Sequence, residues 1–217
     1  MALKYADILW DHDETAHEQY MDNLAPIVLF TYNRLDHTQK TIEALKENMY
    51  AKESVLFIYS DAPRREQDVH SVQCVRDYLQ TIDGFRDVHI IMREENWGLA
   101  RNIIDGVTQV VNQYGKIIVL EDDIVTSRYF LKYMNDALSL YKNVSRVMSI
   151  SGYMYPIKKD GLSESFFINA GYCWGWATWV DAWSYFERNP EKLMQEFTRD
   201  DIYHFNLEGT ADFWQQV

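Results

Sequence analysis

The chain has 217 residues, 47% hydrophobic and 25% charged, with a formal net charge of −12 and a pI near 4.9. That length suits one large domain or a domain with an appendage, and the composition excludes a disordered chain. The acidity disfavours a nucleic-acid partner, because phosphate backbones are repelled, but it admits a small phosphorylated ligand whose charge a metal ion bridges.

Residues 1–23 are acidic and weakly patterned, and read as an N-terminal arm or short helix. The opening MALKYADILWDHDETAHEQ has no apolar core of signal-peptide type, and no stretch approaches the ~18–20 apolar residues of a membrane span. Cys74 and Cys173 have neither zinc nor redox spacing and make no disulfide framework. Reduced thiols in the cytoplasm are expected, with peripheral attachment at the inner face of the membrane left open.

From Pro26 the pattern sharpens. IVLFTY (27–32) is an apolar run of buried-strand type, followed by a loop and a helix to about Asn48 that Asp36 or Thr38 is placed to cap. VLFIY (55–59) is a second strand, ending in Ser60, Asp61, Ala62 and Pro63; residues 66–82 read as a helix. VHIIM (88–92) is a third strand, Asn96-Trp97-Gly98 a turn, and 99–114 a helix. KIIVLE (116–121) is a fourth strand, a helix is expected over 127–141, and 146–153 reads as a fifth strand. Alternation of this kind with near-continuous apolar strands predicts a mostly parallel α/β sheet covered on both faces, with ligands at the carboxyl ends of the strands. TYNR, SDAPR and EDD would then meet on one rim.

After Gly152 the texture changes. Four of the seven tryptophans fall in GYCWGWATWVDAWSYF (171–186), and no linker separates this stretch from what precedes it. It reads as a lobe continuous with the first part and covering the site. Trp176, Trp179 and Trp183 have helical spacing, with Trp179 and Trp183 expected in the core and Trp174, Gly175 and Trp176 nearer the site. Asn169 and His204 read as structural. The ending DFWQQV reads as part of an amphipathic helix, so a fragment of a longer protein is expected.

Three consecutive carboxylates, Glu121, Asp122 and Asp123, close the fourth strand. Like charges there repel and lose hydration, so something must compensate them. A divalent cation bridging to phosphate would do so; the plain alternative is a solvated acidic turn. Alternation allows at most two of the three to face one ligand. Gly98 permits a tight turn before a helix whose free N–H groups can meet an anion, and Arg101 lies within reach of a phosphate or of the triplet. Asp61 is equally a nucleobase acceptor or a turn residue. No Ser/His/Asp signature, GxxxxGK loop or zinc spacing occurs.

In their order along the chain, APIVLFTYNR, SDAP, NWGLARN, VLEDD before a helix, and GYCWGWATW resemble the GT-A-fold glycosyltransferases with nucleotide-sugar donors. The likeness covers about residues 25–186 and points to family-2-like members related to the N-acetylglucosaminyltransferase I group. It implies a three-layer, Rossmann-like sheet with a nucleotide-sugar half over 24–152 and an aromatic acceptor-side lobe, cut short, over 153–217. It implies transfer of a hexosyl or N-acetylhexosaminyl group from a nucleoside-diphosphate sugar, UDP-sugar first, to a glycan or lipid-linked hydroxyl acceptor, with inversion, in polysaccharide assembly. Asp123 would ligate Mn2+ or Mg2+ on the donor diphosphate. Asp122 would serve catalysis at the donor sugar or ribose. Thr31, Tyr32, Asn33, Arg34, Asp61, Arg101 and Glu121 would bind the nucleotide. Asn96, Gly98, Trp174, Gly175 and Trp176 would frame the sugar and acceptor. The base of relatives lies in an acidic stretch near a tryptophan; here that place reads TADFWQQV and offers Asp212, with Asp181, Asp200 and Asp201 as outside candidates. The order of acid and tryptophan in it departs from the family's. A nucleotidyltransferase, or a non-catalytic carbohydrate- or nucleotide-binding domain, remains the alternative; the absence of glycine from TYNRLDH counts against the first.

Overall fold

The computed structural model describes residues 14–158, 161–163 and 165–216. Helix α1 (Glu14–Asp22) precedes β1 (Ile27–Thr31). Strands and helices then alternate: α2 (Leu35–Lys46), β2 (Val55–Ser60), α3 (Val69–Leu79), β3 (Asp87–Met92), α4 (Leu99–Tyr114), β4 (Lys116–Glu121) and α5 (Phe130–Leu140). Short strands β5 (Ile150–Ser151) and β6 (Trp176–Trp179) follow, then helices α6 (Val180–Trp183), α7 (Pro190–Glu196) and α8 (Arg199–Phe205).

The strands form one sheet in the order β3-β2-β1-β4-β6-β5. β1 to β4 pair in parallel, and β6 runs antiparallel between β4 and β5. The central strands are apolar on both sides because both faces are covered. On one face Leu29, Leu56 and Leu120 pack with Ile42 of α2, Val75 of α3 and Leu131 of α5. On the other, Val28, Phe30, Tyr59 and Val119 meet Val107 and Val111 of α4. Each fully buried Val, Leu or Ile contributes about 1.5–3 kcal/mol relative to exposure. Gly106 lets α4 lie close on the sheet: a Cβ there would come 2.8 Å from the Phe30 ring. This is the expected three-layer, mostly parallel α/β sheet.

From β1 the chain steps outward to β2 and β3, and α4 then carries it back across the opposite face to β4, on the other side of β1. The carboxyl ends of β1 and β4 therefore sit at a switch point of the sheet, where open α/β sheets bind ligands.

Several elements differ from expectation. The fifth strand shrinks to Ile150–Ser151, because Val144 N and Val147 N close successive turns onto Tyr141 and Val144. Trp176 and Trp179 do not share a helix face with Trp183. Residues Trp176–Trp179 are a strand, held by pairing of Lys116 with Trp179 and Val119 with Trp176. Here the two-residue alternation prevails: Trp176 packs on the α4 side and Trp179 on the α5 side. The helix after β4 begins at Phe130 rather than Ser127, whose carbonyl accepts Phe130 N–H. The one before β3 is α3 preceded by a 3-10 turn, Glu66–Asp68. Neither Asp36 nor Thr38 caps α2; Arg34 occupies the N-cap, and Thr38 Oγ1 donates back to its carbonyl at 2.9 Å.

Because β6 lies inside the sheet, the part from 153 onward and the part before it share one sheet. Beyond α6 the packing thins. α7 and α8 contribute no buried residue and are held by local devices: Asn189 accepts Lys192 N–H, and Thr198 and Asp201 form a capping box. The end folds as a 3-10 turn, Trp214–Gln216, with Trp214 stacked on Phe197. Among the described residues no helix is long and apolar enough to cross a membrane.

Candidate active site

A cavity of about 320 Å³ opens at the switch point. β1 and the loop after it supply Thr31, Tyr32, Asn33 and Arg34; the end of β2 supplies Asp61 and Arg64. The turn before α4 and its first residues supply Asn96, Gly98, Leu99 and Asn102, and β4 supplies Glu121 and Asp122. The strand ends thus bring residues of TYNR, SDAPR, NWG and the acidic triplet to one hollow. Tyr32 and Arg64 also bound a neighbouring hollow with Arg65 and Asp68; there Tyr32 donates its hydroxyl to Asp68 at 3.1 Å and accepts Arg64 N–H at 2.9 Å.

Asp61 is committed within the fold. Its Oδ1 accepts the N–H groups of Ala62 and Trp97, each at 2.9 Å, and its Oδ2 accepts Gly98 N–H at 2.9 Å and Asn96 Nδ2 at 3.1 Å. It is buried. Asp61 therefore pins the Asn96-Trp97-Gly98 turn to β2 and sets where α4 begins. Gly98 has φ +73, which admits the turn, and its carbonyl accepts Asn102 N–H at 3.1 Å to start α4. Trp97 is held between the Arg93 and Arg101 guanidiniums, 3.8 and 3.9 Å from its ring centroid.

The acidic triplet divides. Glu121 ends β4 half-buried, Asp122 is buried in the turn that follows, and Asp123 faces outward. Two of the three, Glu121 and Asp122, line the cavity; strand alternation would part these neighbours, but the strand ends at Glu121 and Asp122 lies in the turn after it. Arg34 answers the charge: its Nη2 pairs with Asp122 Oδ1, and its Nη1 lies 3.1 Å from Asp123 Oδ2. Burial pushes the Asp122 carboxyl up from its ordinary pKa, and the hydrogen bond from Arg34 opposes that shift. Burial also raises Glu121, helped by the charges of Asp123 and Asp122. Among the described residues two buried side-chain polar atoms have no hydrogen-bond partner, Thr31 Oγ1 and Asp122 Oδ2, and both residues line this cavity.

Other expected site residues lie outside the lining. Arg101 stacks on Trp97 and sits 3.7 Å from Glu95. Trp174 is exposed and meets Tyr153 and Tyr155 edge-on at 4.7 and 5.8 Å, with Tyr172 beside Tyr155 at 5.9 Å. Between Tyr172 and Trp174 in the chain, the Cys173 thiol is pushed up by burial and by the charges of Glu121 and Asp123. Gly175, with φ +73, passes against Phe130 and Leu120. Trp176 points to the α4 face and packs with Trp183 at 5.9 Å. Asp212 is exposed and accepts Gln215 Nε2 at 2.5 Å. Asp201 is engaged by Thr198, whose side-chain and backbone donors lower its pKa.

Among the described residues no three His, Cys, Asp or Glu side chains converge as a metal cage. Asp123 offers a cation an accessible carboxylate, and Asp122 Oδ2 lacks a partner. These hard oxygens fit Mn2+ or Mg2+ when a ligand's phosphates complete the coordination, the usual arrangement for Mg2+. Two such carboxylates supply only part of a cation's oxygen shell, so without phosphates they would hold it weakly.

Arg64 and Asn102 fall within SDAPR and NWGLARN but carry no individual role from the sequence. Arg64 stands in SDAPRR at a strand end, the same signal that singled out Arg34. Asn102 lies four residues after Gly98, one helical turn into α4, and its buried side chain accepts Arg93 Nε at 2.9 Å.

The family described as Glycosyl transferase family 2 matches residues 27–204. Among curated proteins no sequence matches. Among solved structures, the mannosyltransferase PcManGT from Pyrobaculum calidifontis, in complex with GDP-Man and Mn2+, is similar with a TM-score of 0.47 at 12% identity, over 77% of this chain and 51% of that one. TarS of S. aureus is similar with a TM-score of 0.39 at 16% identity, over 55% of this chain and 19% of that one. The present chain spans about half the length of the former.

Proposed function

This chain belongs to glycosyl transferase family 2, and from that premise we propose that it holds a nucleoside-diphosphate sugar at the β1–β4 switch point and transfers the sugar to a hydroxyl acceptor. One observation carries the reading. The two buried polar atoms left without partners, Thr31 Oγ1 and Asp122 Oδ2, are on residues that line the same cavity. A buried acceptor without a partner costs about 1–3 kcal/mol. Ribose or sugar hydroxyls, which donate and accept, suit both atoms. Phe30, Leu99 and Tyr32 add apolar wall for a nucleoside.

In this reading Thr31, Tyr32 and Asn33 seat the nucleoside, and Asp122 orients a hydroxyl of the ribose or transferred sugar. Asp61 acts through the turn it pins. Asp123 would hold Mn2+ or Mg2+, which, when bound, neutralises charge on the departing diphosphate. Trp174 and Tyr155 offer ring faces and edges to the sugar or the acceptor. An inverting reaction needs a carboxylate near the acceptor hydroxyl. Asp212, exposed and beside Trp214, is our candidate; Asp201 is disfavoured by its helix-capping bonds and lowered pKa. UDP-hexose or UDP-N-acetylhexosamine as donor and a glycan or lipid-linked acceptor complete the proposal. Family membership favours it over nucleotidyl transfer.

The test is thermal unfolding with UDP or GDP, with and without Mn2+. Stabilisation of about 2–3 kcal/mol is expected near a hundredfold excess over Kd, larger with metal, and the metal increment should vanish in Asp123→Ala. No response to either nucleotide overturns the reading.

A further inference from the structure

Arg34 makes its ion pairs from an anchored backbone. Its carbonyl accepts both Thr38 N–H at 3.0 Å and Thr38 Oγ1 at 2.9 Å at the start of α2. The side chain is 44% exposed and lines the cavity, and Asp123 is 42% exposed. The guanidinium can therefore leave its carboxylates by side-chain rotation alone, with no change in the fold. Asp122, by contrast, is buried and has an oxygen, Oδ2, with no partner.

The charges do not balance. Asp122 and Asp123 share one guanidinium, and Glu121 adds a third carboxylate to the lining of the same cavity. A diphosphate entering this hollow adds further negative charge. A divalent cation seeking Asp122 and Asp123 meets the guanidinium already pairing with both. Two cations cannot share those oxygens closely without strong repulsion.

We propose that Arg34 is an internal counter-ion for Asp122 and Asp123 that a divalent cation displaces, and that the freed guanidinium then takes the diphosphate of the ligand. Its planar fork suits phosphate oxygens bidentately. The first half stands on the ion pairs alone; the second rests on the donor reading above. Arg34 would thus be a positioning residue that keeps the site ordered before the ligand arrives and makes metal and diphosphate binding mutually dependent.

The test measures Mn2+ alone, by paramagnetic resonance of the free ion, against the wild type, Arg34→Gln and Arg34→Lys. Without nucleotide, Arg34→Gln is expected to bind Mn2+ at least about tenfold more tightly than the wild type, as a competing charge is removed, with Arg34→Lys between them. The gain should disappear in Arg34→Gln/Asp123→Ala. At saturating Mn2+, UDP or GDP should bind Arg34→Gln about tenfold more weakly, as a charged phosphate contact is lost. Equal or weaker Mn2+ binding by Arg34→Gln, or none by any form, overturns the counter-ion. If the gain appears but wild type binds neither nucleotide, the second half and the donor reading fall while the first stands. Should Arg34→Gln fail to fold, Arg34→Lys carries the same comparison.

Discussion

Asp61 Oδ2 accepts the backbone N–H of Gly98 at 2.9 Å, joining the end of β2 to the start of α4 across 37 positions of sequence. With the bonds to Ala62, Asn96 and Trp97, one carboxylate satisfies four donors. Asp61→Ala strands several of them, and a loss of about 3–5 kcal/mol is expected by urea unfolding. Asp61→Asn sets an amide N–H against backbone N–H groups and should cost about 2 kcal/mol. Both should weaken nucleotide binding through displacement of the turn. Undiminished stability in Asp61→Ala would contradict the pinning role.

Gly98 and Gly106 should fail differently. At Gly98 a Cβ meets nothing within 4 Å, but φ is +73. Gly98→Ala therefore carries backbone strain only, about 1–3 kcal/mol. At Gly106 the Cβ would lie 2.8 Å from Phe30 and 3.1 Å from Tyr59. Gly106→Ala should cost about 1–3 kcal/mol by overpacking. A companion Phe30→Leu change, which makes room, should recover part of that loss and none of the loss at Gly98. Denaturation of the two double variants checks the contrast.

Glu121 sets a pH dependence. Its folded pKa is raised, first by burial and then by Asp123 and Asp122. Between the ordinary glutamate value and the raised one, the folded chain binds this proton more firmly than the unfolded chain does. Its contribution to stability is thus present at low pH and lost as pH rises through the folded pKa. Glu121→Gln removes the charge, and its melting temperature should exceed that of wild type by about 2 °C at about pH 8. The difference should close by about pH 4. Melting curves across that range decide it; a variant less stable at the alkaline end would contradict the sign.

Trp174 should separate binding from folding. It is exposed, and its ring contacts are with Tyr153 and Tyr155. Trp174→Ala is expected to cost no more than about 1.5 kcal/mol of stability. UDP affinity should hold, while the acceptor KM rises at least about tenfold, as a stacking face is lost. Transfer kinetics with varied acceptor provide the measurement.

Much of the frame was legible because β1, β2 and β4 are unbroken apolar runs closed by polar turns, and strand ends are where such sheets bind ligands. β6 was not legible as a strand. Trp176, Trp179 and Trp183 satisfy helical spacing, and only the pairing of Val119 with Trp176 decides for the two-residue period. The triplet announced that its charge needed a partner. That TYNR and EDD share a rim followed from the strand ends, but that Arg34 rather than Arg101 pairs with the triplet did not, since it depends on the register of β1 against β4 and on a contact across 88 positions. Asp61 looked like either a base-reading acceptor or a turn residue; its four donors come from its own neighbour and from a turn beyond the next strand, which no local pattern reveals.

The uneven depth of packing along the chain has a kinetic meaning. β1, β2 and β4 lie in the core and open only when the whole sheet does, whereas α7 and α8 bury nothing. Backbone amides of Leu29 or Leu120 should accordingly exchange with deuterium orders of magnitude more slowly than those near Tyr203. The hollow at the strand ends would therefore persist while α7 and α8 open and close, its geometry decoupled from the fraying of those helices.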